Sequence, residues 1–120
     1  MLNGFERQTK GLSEYEKQRL VPIVVKGMRY HYGKSRAVTA KHICDQLTAQ
    51  GYEINDARLR KVIKYIRHKG LIPGIIVASS RGYYVSDNMS EIQRYIRTLE
   101  GRAQAILAVR DRLLNQLENR

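Results

Sequence analysis

Apolar residues recur at helical spacing in several stretches of this chain and, in one place, form the two short runs of a hairpin. Leu20, Val21, Val24, Val25 and Met28 make a first stripe, predicting a helix that runs to about Tyr32 with Gly33 as its stop. Ahead of it, Ser13-Glu14-Tyr15-Glu16 has the spacing of a capping box. The Ser13 hydroxyl can accept from the Glu16 N–H while the Glu16 carboxylate reaches back. Pro22 lies inside the stripe, and its missing N–H predicts a kink or short break. A basic turn at 33–36 leads to Ala37-Val38, long enough for only a stub of strand. Thr39 then caps a second helix with Ile43, Cys44 and Leu47 on its apolar side, ending near Gly51.

The third helix is the most sharply patterned. Asn55 or Asp56 caps it, and Leu59, Val62, Ile63 and Ile66 follow the i, i+3, i+4, i+7 spacing of a face lying on a core. At 100° per residue, Ala57, Lys61, Lys64 and His68 fall opposite, with Arg58, Arg60 and Tyr65 on the flanks. Gly70 ends the helix. Pro73-Gly74 is a turn, Ile75-Ile76-Val77-Ala78 a strand, Ser79-Ser80-Arg81-Gly82 a tight turn, and Tyr83-Tyr84-Val85 the return strand. Alternation turns Tyr83 and Val85 inward and leaves Tyr84 outward. Asn88 or Ser90 caps a last helix.

That last helix carries Ile92, Ile96, Leu99, Ala103, Ile106, Arg110, Leu113 and Leu117 at alternating steps of four and three. This is the a/d seam of a coiled coil with one charged position, Arg110, and Leu107 and Leu114 widen it. Such a helix pairs with a second copy or folds back on its own domain.

Charge changes the picture from fold to partner. The net charge of +11 on 120 residues attracts polyanions. It is concentrated: residues 1–36 carry a net +5, residues 55–70 another +5, and the C-terminal 34 residues nearly balance. A localised basic helix fits an anion-binding face better than general solubilising charge.

The order of helix, stub strand, helix, turn, basic helix and hairpin resembles a winged helix-turn-helix domain over roughly residues 13–86. Arg58-Leu59-Arg60-Lys61-Val62-Ile63-Lys64-Tyr65-Ile66-Arg67-His68-Lys69-Gly70-Leu71-Ile72 resembles the family's recognition helix and its exit, and Ser80-Arg81-Gly82-Tyr83-Tyr84-Val85 its wing. The likeness is greatest to small winged-helix proteins of bacterial phages and mobile elements. It implies a mainly α fold with a small β-hairpin (α+β): a loose tail at 1–12, the domain at 13–86, and a long C-terminal helix at 87–120.

The function implied is binding of double-stranded DNA by occupancy, as a transcriptional regulator or as an accessory factor in replication or excision. Helix 56–69 would enter the major groove with hairpin 75–85 as wing. Arg58, Lys61 and Lys64 are then expected on bases, and Arg60, His68 and Lys69 mainly on phosphate. Thr39 and Lys41 are expected on phosphate at the second helix, and Arg81 in a minor groove. The seam of Ile92, Ile96, Leu99, Ala103, Ile106, Leu113 and Leu117 would make a homodimer. RNA binding or docking on an acidic protein partner are the alternatives.

Chemistry other than binding finds little footing. His31, His42, His68 and Cys44 match no zinc spacing, and no phosphate loop, dinucleotide glycine pattern or nucleophile elbow occurs. No enzyme, cofactor, metal or small-molecule ligand is expected. A single cysteine, no membrane-spanning stretch and no leader-like start place the expected home in the cytoplasm.

Overall fold

The computed structural model describes residues 11–120, so the expected tail lies outside the described residues save for its last two. Gly11 and Leu12 correct its boundary. Leu12 is buried in the core, and the Gly11 carbonyl accepts from Lys61 Nζ at 3.2 Å.

The capping box forms as drawn, with Ser13 N–H donating to Glu16 Oε1 at 2.8 Å and Glu16 N–H to Ser13 Oγ at 3.1 Å. Helix α1 follows as a π-helical turn, Glu16–Leu20, running straight into α-helical Val21–Met28. No break interrupts it at Pro22. Instead the turn ahead of the proline is widened, and Val21 N–H bonds the Glu16 carbonyl five residues back. An ordinary turn would press the Pro22 ring on the Gln18 carbonyl and find no N–H there, and widening relieves that conflict.

The helix also stops four residues short of Tyr32. Beyond Met28 the backbone is drawn alongside the hairpin, with Val85 N–H donating to His31 O at 2.8 Å and Gly33 N–H to Val85 O at 2.9 Å. Sheet pairing therefore overrides local helix propensity here.

A single 3-10 turn, Lys34–Arg36, leads to α2, Ala40–Ala49, whose cap Thr39 accepts from His42 N–H at 3.1 Å. Helix α3, Asp56–Lys69, starts at the Asn55 cap and closes on Gly70 in the left-handed conformation. Leu59, Val62, Ile63 and Ile66 are its buried face, and α3 packs against α1, α2 and the hairpin. Strands β1, Ile75–Ser79, and β2, Gly82–Ser86, pair antiparallel with Ile76 opposite Val85 and Val77 opposite Tyr84. The stub survives as a bridge: Val38 and Tyr83 exchange both backbone hydrogen bonds, at 2.8 and 2.7 Å.

Val85 is buried and Tyr83 packs partly on the core, as alternation requires. Tyr84 departs from expectation, being 4% exposed rather than outward. Its register partner Val77 is buried too, so both faces of the hairpin are buried and strict in/out alternation does not apply.

The fold is thus mainly helical with one small antiparallel hairpin. The chain divides after Asp87, and Asn88–Arg120 is the second compact unit. It contains α4, Met89–Glu118, capped by Asn88 accepting from Glu91 N–H at 2.9 Å. None of its residues is buried. Among the described residues, no helix is long and apolar enough to cross a membrane.

Candidate nucleic-acid interface

Helix α3 presents its cations in two sets, separated by what they touch. Arg58 and Lys61 turn toward α1. Arg58 Nε donates to Glu16 Oε2 at 2.9 Å, and Lys61 Nζ lies 3.3 Å from Glu16 Oε1. The Glu16 side chain is only 3% exposed. Burial alone raises the pKa of such a carboxyl. The Ser13 N–H, the Arg58 and Lys61 hydrogen bonds and the charge of Lys61 outweigh burial and hold it below the ordinary value.

Arg58 is fixed further by stacking over the Tyr15 ring, 5.3 Å from its centroid, and by Nη1 donating to Glu53 O at 3.1 Å. The Tyr15 hydroxyl in turn accepts the Glu53 N–H at 2.6 Å. Two of the three residues expected on bases are therefore committed to the scaffold, with Arg58 33% and Lys61 39% exposed. One clue was present in the sequence. Glu16 precedes Leu20, Val24 and Met28 in steps of four, so it sits on the apolar stripe, and a buried acid needs cationic partners.

The second set faces solvent. Arg60, Lys64 and His68 are exposed along one side of α3. Arg60 pairs with Asp56 at 2.6 Å, one turn back on the same surface, with both partners more than half exposed. Such a surface pair is worth about 0.3–0.5 kcal/mol and is easily given up to a phosphate or a base. Lys69 lies over Tyr65, 5.8 Å from its ring centre. Arg67 is different again: its Nε and Nη2 both donate to the Ile76 carbonyl, at 3.0 and 2.7 Å, tying α3 to β1. Nothing in the local residue pattern marks Arg67 for that role.

Elsewhere Thr39 and Lys41 are exposed at the start of α2. Thr39 spends its hydroxyl on the cap, and Lys41 pairs with Asp45 at 2.7 Å, which raises its pKa. Arg81 is exposed at the hairpin tip, where Ser79 Oγ accepts the Arg81 N–H at 3.2 Å. Gly82, next in line, has φ 116° and backs directly onto the Val38 backbone, so a side chain there would collide with it.

Cys44 is a free thiol. Burial, with Asp56 and Asp45 nearby, pushes its pKa up, the reverse of what a nucleophile needs. Among the described residues, no three His, Cys, Asp or Glu side chains converge to hold a metal.

Compared with family models, with curated proteins and with solved structures, the chain finds no match.

Proposed function

We propose that this chain is a winged helix-turn-helix protein that binds double-stranded DNA and acts by occupancy, as a transcriptional regulator or a replication or excision accessory factor. The observation carrying the reading is the exposed side of α3, where Arg60 and Lys64 supply positive charge and His68 a ring N–H, backed by a fully buried apolar face. A helix with cations on its solvent-exposed side matches the width of the major groove.

With Arg58 and Lys61 held by Glu16, base contacts fall to Arg60 and Lys64 in the first two and a half turns of α3. His68 and Lys69 follow the phosphates. Lys41 and the first N–H groups of α2 take a phosphate beside them, and the hairpin is the wing, with Arg81 at its tip reaching a minor groove. Two copies joined through α4 would bind two related half-sites about one helical turn apart. The cytoplasm suits the single thiol of Cys44.

Titration of the full chain with a duplex DNA pool, a single-stranded RNA pool and an acidic polypeptide tests the proposal. Tight, salt-sensitive binding to duplex over the other two is expected. Preference for the RNA or the polypeptide would replace DNA with that partner class.

A further inference from the structure

The solvent-facing seam of α4 holds one charged residue, and that residue decides how a second copy can pair with it. Ile106, Leu113 and Leu117 are 70%, 60% and 67% exposed, and Ile96 and Leu99 are also open to solvent. Arg110 interrupts the stripe, 60% exposed, with only its sequence neighbour Asp111 at 2.8 Å. Written as heptads, Ile96, Ala103, Arg110 and Leu117 take position a, and Ile92, Leu99, Ile106 and Leu113 take position d.

In a parallel pair each a residue meets its own copy, so Arg110 would face Arg110 of the partner subunit across the seam. The small Ala103 would likewise meet a second alanine and leave a void. In an antiparallel pair each a residue meets a d residue. One register uses all eight: Ile92 on the partner's Leu117, Ile96 on the partner's Leu113, Leu99 on the partner's Arg110, and Ala103 on the partner's Ile106. There the methylene stem of Arg110 covers a leucine, and its guanidinium comes beside the partner's Glu100, an exposed acid next in sequence to Leu99. Two-fold symmetry makes the pair occur twice.

We propose that α4 pairs antiparallel with a second copy of this chain, in the register that joins Arg110 of one copy to Glu100 of the other. This deepens the dimer reading above and rests on it. Antiparallel pairing also sets the two junctions at Asn88 apart by roughly the length of the helix, about 45 Å. That is the order of the spacing between half-sites one duplex turn apart, about 35 Å, whereas a parallel pair would bring the junctions side by side.

The test uses full-length chains carrying Cys44→Ala and one new cysteine each, with sedimentation mass measured on the unmodified protein. Mixing Ile96→Cys with Leu113→Cys under mild oxidation should give the mixed disulfide, with little self-linked Ile96→Cys. Arg110→Glu should weaken self-association at least about tenfold by setting like charges together, and adding Glu100→Arg should restore it. A dimer whose Ile96→Cys chains link to themselves would overturn the antiparallel register and leave the dimer standing, as would Arg110→Glu without effect. A chain that stays monomeric at tens of micromolar would overturn both.

Discussion

Glu16 Oε2 accepts the Arg58 Nε–H at 2.9 Å, joining the first turn of α1 to the first turn of α3 across 42 positions of sequence. The contact removes the most promising arginine of α3 from the exposed side and fixes the angle at which that helix meets the rest of the unit. Glu16→Gln leaves Arg58 and Lys61 facing a neutral amide. A loss of about 1–3 kcal/mol at neutral pH is expected, below the cost of breaking a fully buried pair because both cations are partly exposed.

The same carboxylate gives a pH signature. Its pKa is lowered in the folded state, so the unfolded chain binds the proton more readily. The stabilisation is complete above the ordinary carboxyl value of 4.5 and is lost as pH falls through the lower folded value. Urea midpoints measured from pH 6 down to pH 2.5 should therefore fall more steeply for the native chain than for Glu16→Gln. Parallel curves would show that Glu16 contributes no acid-sensitive stability.

Arg60 and Lys64 should separate from Arg58 when each is replaced by alanine. At Arg60 or Lys64, about 1–3 kcal/mol of binding is lost on the preferred duplex and much less on random DNA, with the fold unchanged. At Arg58, thermal stability falls and the preference for sequence survives in whatever fraction stays folded. Binding titrations beside melting curves check both. A sequence preference lost at Arg58 with no change in melting would return that residue to the DNA.

Gly82→Ala is expected to cost about 2–3 kcal/mol, since an L side chain is strained at φ 116° and its Cβ would meet the Val38 carbonyl. The loss should appear in melting temperature, along with faster hydrogen exchange at the Val38 and Tyr83 amides that bridge the stub to β2. A neutral substitution would mean that this bridge is easily opened.

The elements legible in the sequence were those set by local chemistry. Thr39, Asn55 and Asn88 cap as their side chains dictate, Gly70 stops α3, and the Leu59–Val62–Ile63–Ile66 stripe is buried as periodicity requires. What escaped was decided at long range. Met28 ends α1 because β2 claims the backbone of residues 31–33, and Tyr84 is buried together with its cross-strand partner Val77, which strict alternation does not foresee. Helix periodicity located the cations of α3 but not which neighbour would claim them. Arg58 and Lys61 went to Glu16, Arg67 to the Ile76 carbonyl and Arg60 to Asp56 on the surface, and Arg60, Lys64 and His68 are the ones that stay exposed.

Ending the chain at Ser90 should leave a folded monomer, because the main apolar cluster lies between Leu12 and Val85. Circular dichroism and sedimentation mass check this, and weak binding to half-sites is expected. Unfolding of the shortened chain would show that α4 supplies stability the cluster lacks.

Contact of Arg60 and Lys64 with duplex phosphates and bases is read from the salt dependence of duplex binding. Each phosphate neutralised releases counterions, so affinity for a DNA duplex should fall by two or more orders of magnitude between about 50 and 200 mM salt. The slope should decrease by about one when Lys64 is replaced by alanine. A flat response, or no duplex binding at about 50 mM salt, would mean that α3 does not meet duplex phosphate.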